Sequence, residues 1–261
     1  MKREGDGRLV EHPPGVALRA FVECYWTRQP VGDGGPDSHR VLPDGCIDII
    51  FGFPASSARP THGSDVGPAL VVGPMTRPLV VPSTHRLGFL GVRFRPGAAH
   101  AFLGVPAAEI TDQRLPLDEL WPGSERLLEE LTAAPDDVSR QLVVERALLE
   151  RRAAHGRARD VEHAVRLIFE SGGRGRVEEI SREVGVTRQH LARRFAQHVG
   201  ITPKTLCRIV RARSVIARAH PGGAVKWSAL AYDAGYFDQS HMVAEFVELT
   251  GLTPEEWLAA G

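Results

Sequence analysis

Apolar residues near the C-terminal end of the chain recur at helical spacing, in two sets that resemble each other. In the first set, Val177, Ile180 and Val184 mark one face of a helix. Gly185 then stops it, because glycine most readily takes the left-handed backbone of a helix end. Val186 plugs the turn, Thr187 is a suitable N-cap, and the next helix buries Leu191, Phe195 and Val199. Its opposite face carries Arg188, Gln189, Ala192 and Arg193. An offset of 51 residues lays Thr187 on Asp238, His190 on His241, Leu191 on Met242, Phe195 on Phe246, Gly200 on Gly251, and Thr202-Pro203 on Thr253-Pro254. The stop glycines Gly185 and Gly235 differ from that offset by one residue, so the second turn is one residue longer. Cap, core pair, stop and restart all match, which makes the segment an internal repeat of one helical unit.

Between the copies, Thr202 caps a helix with Pro203 at its first position. Leu206, Ile209, Val210 and Ile216 give that helix an apolar stripe, and His220 to Gly223 end it. Cys207, Trp227, Leu230, Tyr232, Phe237 and Trp257 read as packing residues of this region.

Upstream the pattern changes. Residues 1–95 hold short β-type runs (VLPDG, CIDIIFGF, ALVVG, PLVV, LGFLGVRFR) separated by Gly and Pro, with Pro43-Asp44-Gly45 as turn chemistry. Alternation in CIDIIF puts Cys46, Asp48 and Ile50 on one face and Ile47, Ile49 and Phe51 on the other. Short helices are expected at 97–103, 106–110 and 117–121, then at 124–132 and 135–153, with Asp136 and Asp137 at the positive end of the last. The small, polar stretch 153–159 (AAHGRAR) is the best domain boundary. The fold class is therefore α+β. A β-barrel or sandwich-like domain with appended helices fills 1–155, β-rich to about 95, and an all-α domain fills 156–261.

Two short helices joined by a Gly-containing turn, with donors facing out from the second, have the form of a helix-turn-helix. Arg and Gln bond guanine and adenine edges bidentately in the major groove. Candidate base contacts are Arg188, Gln189 and Arg193 in the first reader and Gln239, Ser240 and His241 in the second; Thr187 and Arg194 would hold phosphates. Formal net charge is zero, yet between Arg174 and Lys226 twelve Lys and Arg face three acids, Glu178, Glu179 and Glu183. Such a basic segment is the footprint a phosphate surface needs.

These residues resemble a family. GVTRQHLARRFAQHVGITP and AYDAGYFDQSHMVAEFVELTGLTPEEW are similar to the paired helix-turn-helix motifs of AraC/XylS-type transcriptional regulators, over about 160–261. Members usually carry Arg where this chain has Ala244, followed here by Glu245, so the second reader lacks its usual strong groove contact. HRVLPDGCIDIIF and GVRFRPGAAHAFLGVPAAEITDQRLPLDELW resemble the sensor half of a subgroup. That resemblance implies a cupin-like domain binding a small-molecule effector, helices that mediate a homodimer, double-stranded DNA and RNA polymerase as partners, and no cofactor.

Chemistry in the N-terminal half is open at this level. Trp26, Cys46, Arg93 and Arg95 are candidate effector contacts, although a core aromatic, a strand thiol and surface charges would read the same way. His39, His62, His85 and His100 are scattered, without the spacing a metal site needs. A metal- or thiol-based sensor around Cys46, or an enzyme-like domain with DNA binding as its output, is the alternative; the preferred reading has no catalytic residue. Three dispersed cysteines, no apolar leader and no membrane-length apolar run point to a cytoplasmic protein.

Overall fold

The computed structural model describes residues 9–29, 38–54, 69–82, 87–152, 158–219 and 225–259. Expectations that rest on His62, His85, the 153–157 linker and the 220–223 helix end lie outside them.

The N-terminal domain is built on strands β1 (Leu9–His12), β2 (Val22–Arg28), β3 (Ser38–Val41), β4 (Ile47–Pro54), β5 (Ala69–Val72), β6 (Leu79–Pro82), β7 (Leu87–Phe94) and β8 (Arg114–Pro116). Six of them form an antiparallel sheet in the order β1-β2-β7-β4-β5-β8, and β3 pairs with β6 in a second, two-stranded sheet. In β4, Ile47, Ile49 and Phe51 are buried as the alternation predicts; on the opposite face Ile50 is half-buried, but Asp48 is buried as well. Strands β1, β2 and β8 were not legible, because short runs such as RLP and LVEH carry no periodicity of their own.

One face of the large sheet is covered by α1 (His100–Leu103), a 3-10 turn (Ala107–Ile110), α2 (Leu117–Leu120), α3 (Ser124–Ala133) and α4 (Asp137–Arg151). Tyr25, Phe51 and Phe94 from the sheet meet Phe102, Leu117, Leu131 and Leu148 from the helices in one core. Asp136 caps α4 by accepting from the Ser139 N–H at 2.8 Å. The other face of the sheet is mixed, with Trp26, Ile50, Leu70, Val72 and Phe89 beside Arg28, Asp48 and Arg93. There Trp26 lies across Gly91, where an added Cβ would sit 1.9 Å from the indole.

The C-terminal domain comprises α5 (Arg159–Glu170), α6 (Val177–Val184), α7 (Arg188–His198), α8 (Pro203–Arg218), α9 (Trp227–Asp233), α10 (Gln239–Thr250) and α11 (Pro254–Ala259). Helix α8 runs between two cores. Leu206, Ile209 and Val210 join Leu191 and Phe195 in one, and Val215 and Ile216 join Met242, Phe246 and Trp257 in the other. Among the described residues no helix is long and apolar enough to cross a membrane.

Candidate nucleic-acid interface

The 51-residue repeat is realised atom by atom. Thr187 Oγ1 accepts from the His190 N–H at 3.1 Å, and Asp238 Oδ1 accepts from the His241 N–H at 2.7 Å. Each helix thus begins on a side-chain cap that satisfies one orphan amide and fixes its entry. The restarts match as well: Thr202 caps α8 through the Thr205 N–H at 3.0 Å, and Thr253 caps α11 through the Glu256 N–H at 3.2 Å. Glu256 returns the bond to the Thr253 N–H at 2.7 Å, a reciprocal capping box that holds its carboxyl below the usual range.

In α7, Leu191 and Phe195 are fully buried while Arg188, Gln189, Ala192 and Arg193 are exposed on the far side. In α10, Met242 and Phe246 are buried while Gln239, Ser240, His241 and Ala244 are exposed. Both helices therefore offer solvent the faces the sequence assigned to DNA.

The individual side chains differ in how they are held. Arg188 pairs with Glu178 of α6 at 2.8 Å, with both partners well exposed. Arg193 Nη2 lies 3.2 Å from His190 Nδ1, one turn back. Arg194 is turned inward, where its Nε and Nη2 bond both oxygens of Asp160 of α5 at 2.9 and 3.2 Å. Burial pushes the Asp160 carboxyl up, but the bonds and charge of Arg194 and the Val161 N–H outweigh it and leave the pKa low. Arg194 thus braces the reader helix against α5 in the free protein.

Glu245 is the clearest departure from expectation. Read in the sequence as the acid that follows Ala244 on the reader helix, it is buried between α8 and α10, with Arg208 Nε at 2.9 Å, Arg211 Nη2 at 3.1 Å and His241 Nε2 at 3.4 Å. Arg208 also bonds Glu248. A carboxylate one position past Ala244 points back at the linker helix, because successive helical residues lie about 100° apart. Tyr232 and Phe237, expected in the core, are 83% and 92% exposed, whereas Trp257 is buried as expected. Phe237 lies in a turn, where no periodicity says which way a residue faces, and Tyr232 lies on the solvent side of the short helix α9.

The basic excess is smaller in space than along the chain. Arg194, Arg208, Arg211 and Arg218 pair with Asp160, Glu245, Glu248 and Asp233, acids that lie outside the basic window. Arg176, Arg182 and Lys204 are exposed, as is Arg193 on the outer face of α7.

The candidate effector residues of the N-terminal half are each held by a neighbouring carboxylate. Trp26 Nε1 donates to Asp48 at 2.9 Å, Arg93 Nε donates to Asp48 at 3.2 Å, and Arg93 Nη1 lies 3.5 Å from Asp44. Burial lowers the Arg93 pKa, and Asp48 and Asp44 more than reverse it, so the guanidinium stays charged. Arg95 lies apart and pairs with Glu23. Cys46 donates its N–H to Asp44 at 2.9 Å, and burial and then Asp44 push its thiol well up. Among the described residues no three metal-ligating side chains converge on a common point.

The N-terminal domain touches the C-terminal end of both readers. Thr111 Oγ1 donates to the Gly200 carbonyl at 2.9 Å, just past α7, and Arg40 Nη1 donates to the Thr250 carbonyl at 2.9 Å, the last residue of α10. Gly200 (φ +86) and Gly251 (φ +72) are equivalent in the repeat, and both need a left-handed backbone. Both are also closely approached. An added Cβ would sit 2.6 Å from Pro74 Cγ at Gly200, and 3.4 Å from Pro78 Cγ at Gly251.

At the same junction His198 lies edge-on to His100, with ring centroids 4.8 Å apart. Burial, followed by the charges of Arg194 and His100, depresses its pKa from 6.5 to about 4, against the pull of Asp160. The folded state refuses a proton that the unfolded chain accepts below about 6.5, so this residue costs stability as pH falls from there toward about 4. The limit for one proton is about 1.4 kcal/mol per pH unit. We expect thermal unfolding of the full-length protein to show this loss between pH 7 and 5, and His198→Phe to flatten it. An unchanged pH slope in the variant would assign the effect to other groups.

Residues 10–116 match a family model described as "Domain of unknown function (DUF6597)", and residues 180–260 match one described as "Helix-turn-helix domain". No curated protein sequence matches the chain. Among solved structures, ToxT from Vibrio cholerae aligns at 12% identity and TM-score 0.44, covering 90% of this chain and 98% of that one. A regulator from Chromobacterium violaceum described as having an AraC-type DNA-binding domain aligns at 21% identity and TM-score 0.35, over 39% of this chain and 90% of its own. The C-terminal domain of AraT, a response regulator from Geobacillus stearothermophilus, aligns at 19% identity and TM-score 0.36, over 39% and 85%.

Proposed function

We propose that this chain, an AraC-type regulator by its C-terminal helix-turn-helix domain, reads one DNA duplex with both α7 and α10 while its N-terminal domain senses a small molecule and joins two copies. The reading rests on the repeated cap. Thr187 and Asp238 start two helices the same way and leave two equivalent outer faces exposed on one rigid spacer, α8. Two such helices reach successive major grooves about 34 Å apart on one side of the duplex. Recruitment of RNA polymerase at the bound promoter is the output this architecture would serve.

The test uses full-length protein and a duplex selected from a randomised library, titrated at several salt concentrations. Specific binding with a steep negative salt slope is expected. A folded preparation that selects no sequence would refute the reading.

The dimer has its own observation. Helix α4 buries Val144 and Leu148 in the core but leaves Val138, Leu142 and Leu149 exposed at 66%, 61% and 44%. Exposed apolar residues at i, i+4 and i+11 make a second stripe on a helix already packed on its other side, which supports an association surface there. Sedimentation at micromolar concentration should show a dimer, and Leu142→Glu should shift it to monomer. A wild-type monomer, or a variant that still pairs, would place any dimer contact elsewhere.

The thiol-sensor alternative loses support at Cys46. A reactive cysteine needs a lowered pKa and an electropositive setting, whereas burial and Asp44 keep this one protonated.

A further inference from the structure

The helices that precede the two readers, α6 and α9, end in the same way. Gly185 N–H donates to the Arg182 carbonyl at 3.1 Å, and Val186 N–H donates to the Ser181 carbonyl at 2.9 Å. Gly235 N–H donates to the Tyr232 carbonyl and Tyr236 N–H to the Ala231 carbonyl, both at 2.9 Å. The two glycines share one left-handed backbone, φ +78 and φ +79. These bonds set Tyr232 on Arg182 and Tyr236 on Val186, a correspondence made by hydrogen bonding and not by residue type.

The extra residue of the second turn is therefore Phe237. Val186 plugs the first turn by packing against the core of Leu191 and Phe195. Tyr236 takes that role in the second, buried with Met242 and Phe246, with the Arg211 guanidinium 4.9 Å above its ring. With the plug position filled, Phe237 is left between Tyr236 and the cap Asp238, and it faces solvent. Phe237 and Tyr232 are the two most exposed large apolar side chains among the described residues. An aromatic ring left in water contributes no burial to folding, so packing explains neither position. Both belong to the unit whose reader helix exposes Gln239, Ser240 and His241 just past the cap.

We propose that Phe237 and Tyr232 are DNA contacts of the second reader, Phe237 against a thymine methyl and Tyr232 on a phosphate. These roles rest on the two-reader interpretation given above, and they explain how the second reader works without an arginine. The first residues of a reader helix meet base edges in the major groove, while the helix before it crosses the backbone. Phe237 stands immediately ahead of that start, and a phenylalanine ring is an apolar partner for the thymine C5-methyl. Tyr232 stands where the first unit has the exposed Arg182. Its phenol donates one hydrogen bond to a phosphate oxygen and adds no charge. Helix α7 carries three arginines, whereas α10 carries no Lys or Arg along its length. The first unit thus docks by charge and the second by an aromatic pair.

The test uses the full-length protein and the duplex it selects, with thymines replaced one at a time by deoxyuridine, which removes only the methyl group. The wild type should lose about fourfold in affinity at a position in one half-element, the worth of one buried methyl. Phe237→Ala should lose a similar factor on the parent duplex and no longer respond to deoxyuridine at that position. Tyr232→Phe, which removes only the hydroxyl, should weaken binding to every duplex by a similar factor. Tyr232→Arg, which installs the residue of the first unit, should bind more tightly at low salt and steepen the salt slope by about one. Both side chains are exposed, so all three variants should unfold at the wild-type temperature, which separates a lost contact from a lost fold. Phe237→Ala that keeps the wild-type affinity and deoxyuridine response would overturn the thymine contact and leave the ring to a protein partner. Tyr232→Phe that binds every duplex as the wild type does would overturn the phosphate contact. A wild type that selects no duplex would refute the two-reader interpretation and these contacts together, whereas selection that is indifferent to both side chains would refute the contacts alone.

Discussion

Replacing Glu245 with Ala should destabilise the C-terminal domain by about 3 kcal/mol, the lower end of what breaking a buried ion pair costs. Its carboxylate is 8% exposed and is the shared partner of Arg208 and Arg211, which are themselves only 22% and 16% exposed. Removal leaves two half-buried guanidinium groups of α8 facing α10 without their shared carboxylate, with Arg208 keeping only Glu248. The partial exposure of the arginines and their access to water set the figure low in the range. Urea unfolding of the full-length protein is the measurement, and the second reader should lose its fold before the first. Met at 208, 211 and 245 together should recover most of the loss, because an apolar replacement of a buried charge cluster is often neutral or better. A change below about 0.5 kcal/mol would mean that water screens the cluster as it does a surface pair.

The second large effect concerns specificity. Arg193 is exposed on the outer face of α7, where a bidentate contact to guanine discriminates by about 1–3 kcal/mol. Arg193→Ala should therefore relax selection at one or two base pairs of one half-element and leave the other half-element unchanged. Gln239→Ala, on α10, should cost less. Ala244→Arg should tighten binding, since Ala244 is exposed and Glu245 is already engaged from the inner side by Arg208 and Arg211 and is not free to capture the new side chain. Affinities of the three variants, measured on single-base substitutions across the selected duplex, decide the matter. A larger loss from Gln239→Ala than from Arg193→Ala, or an Arg193→Ala loss that is equal on every sequence, would reverse the ranking.

Much of the reader architecture was legible from local chemistry. A Thr or Asp that caps, a glycine that stops and a Thr-Pro that restarts act within one helical turn, so Thr187, Asp238, Gly251 and Thr253-Pro254 declare their conformations without help from the remainder of the fold. Burial along α7 and α10 followed equally from 3.6-residue spacing, as did the two faces of β4 from its period of two. The cluster around Asp48 was less legible. Trp26, Asp48 and Arg93 sit on different strands and meet only because β2, β7 and β4 are neighbours in the sheet.

Sequence alone thus determined two capped reader helices, their exposed faces, the spacer between them and a β-rich domain ahead of them, because each depends on residues within a few positions of one another. Only the tertiary structure decided which charges remain for DNA. Asp160 takes Arg194 from 34 residues away, and Glu245 takes Arg211 from the same distance. It also decided that Tyr232 and Phe237 face solvent and that Pro74 and Pro78 sit behind Gly200 and Gly251. Ion pairing and domain docking are set by distances in space, and a linear count of charges or apolar positions carries no information about them until the chain has folded.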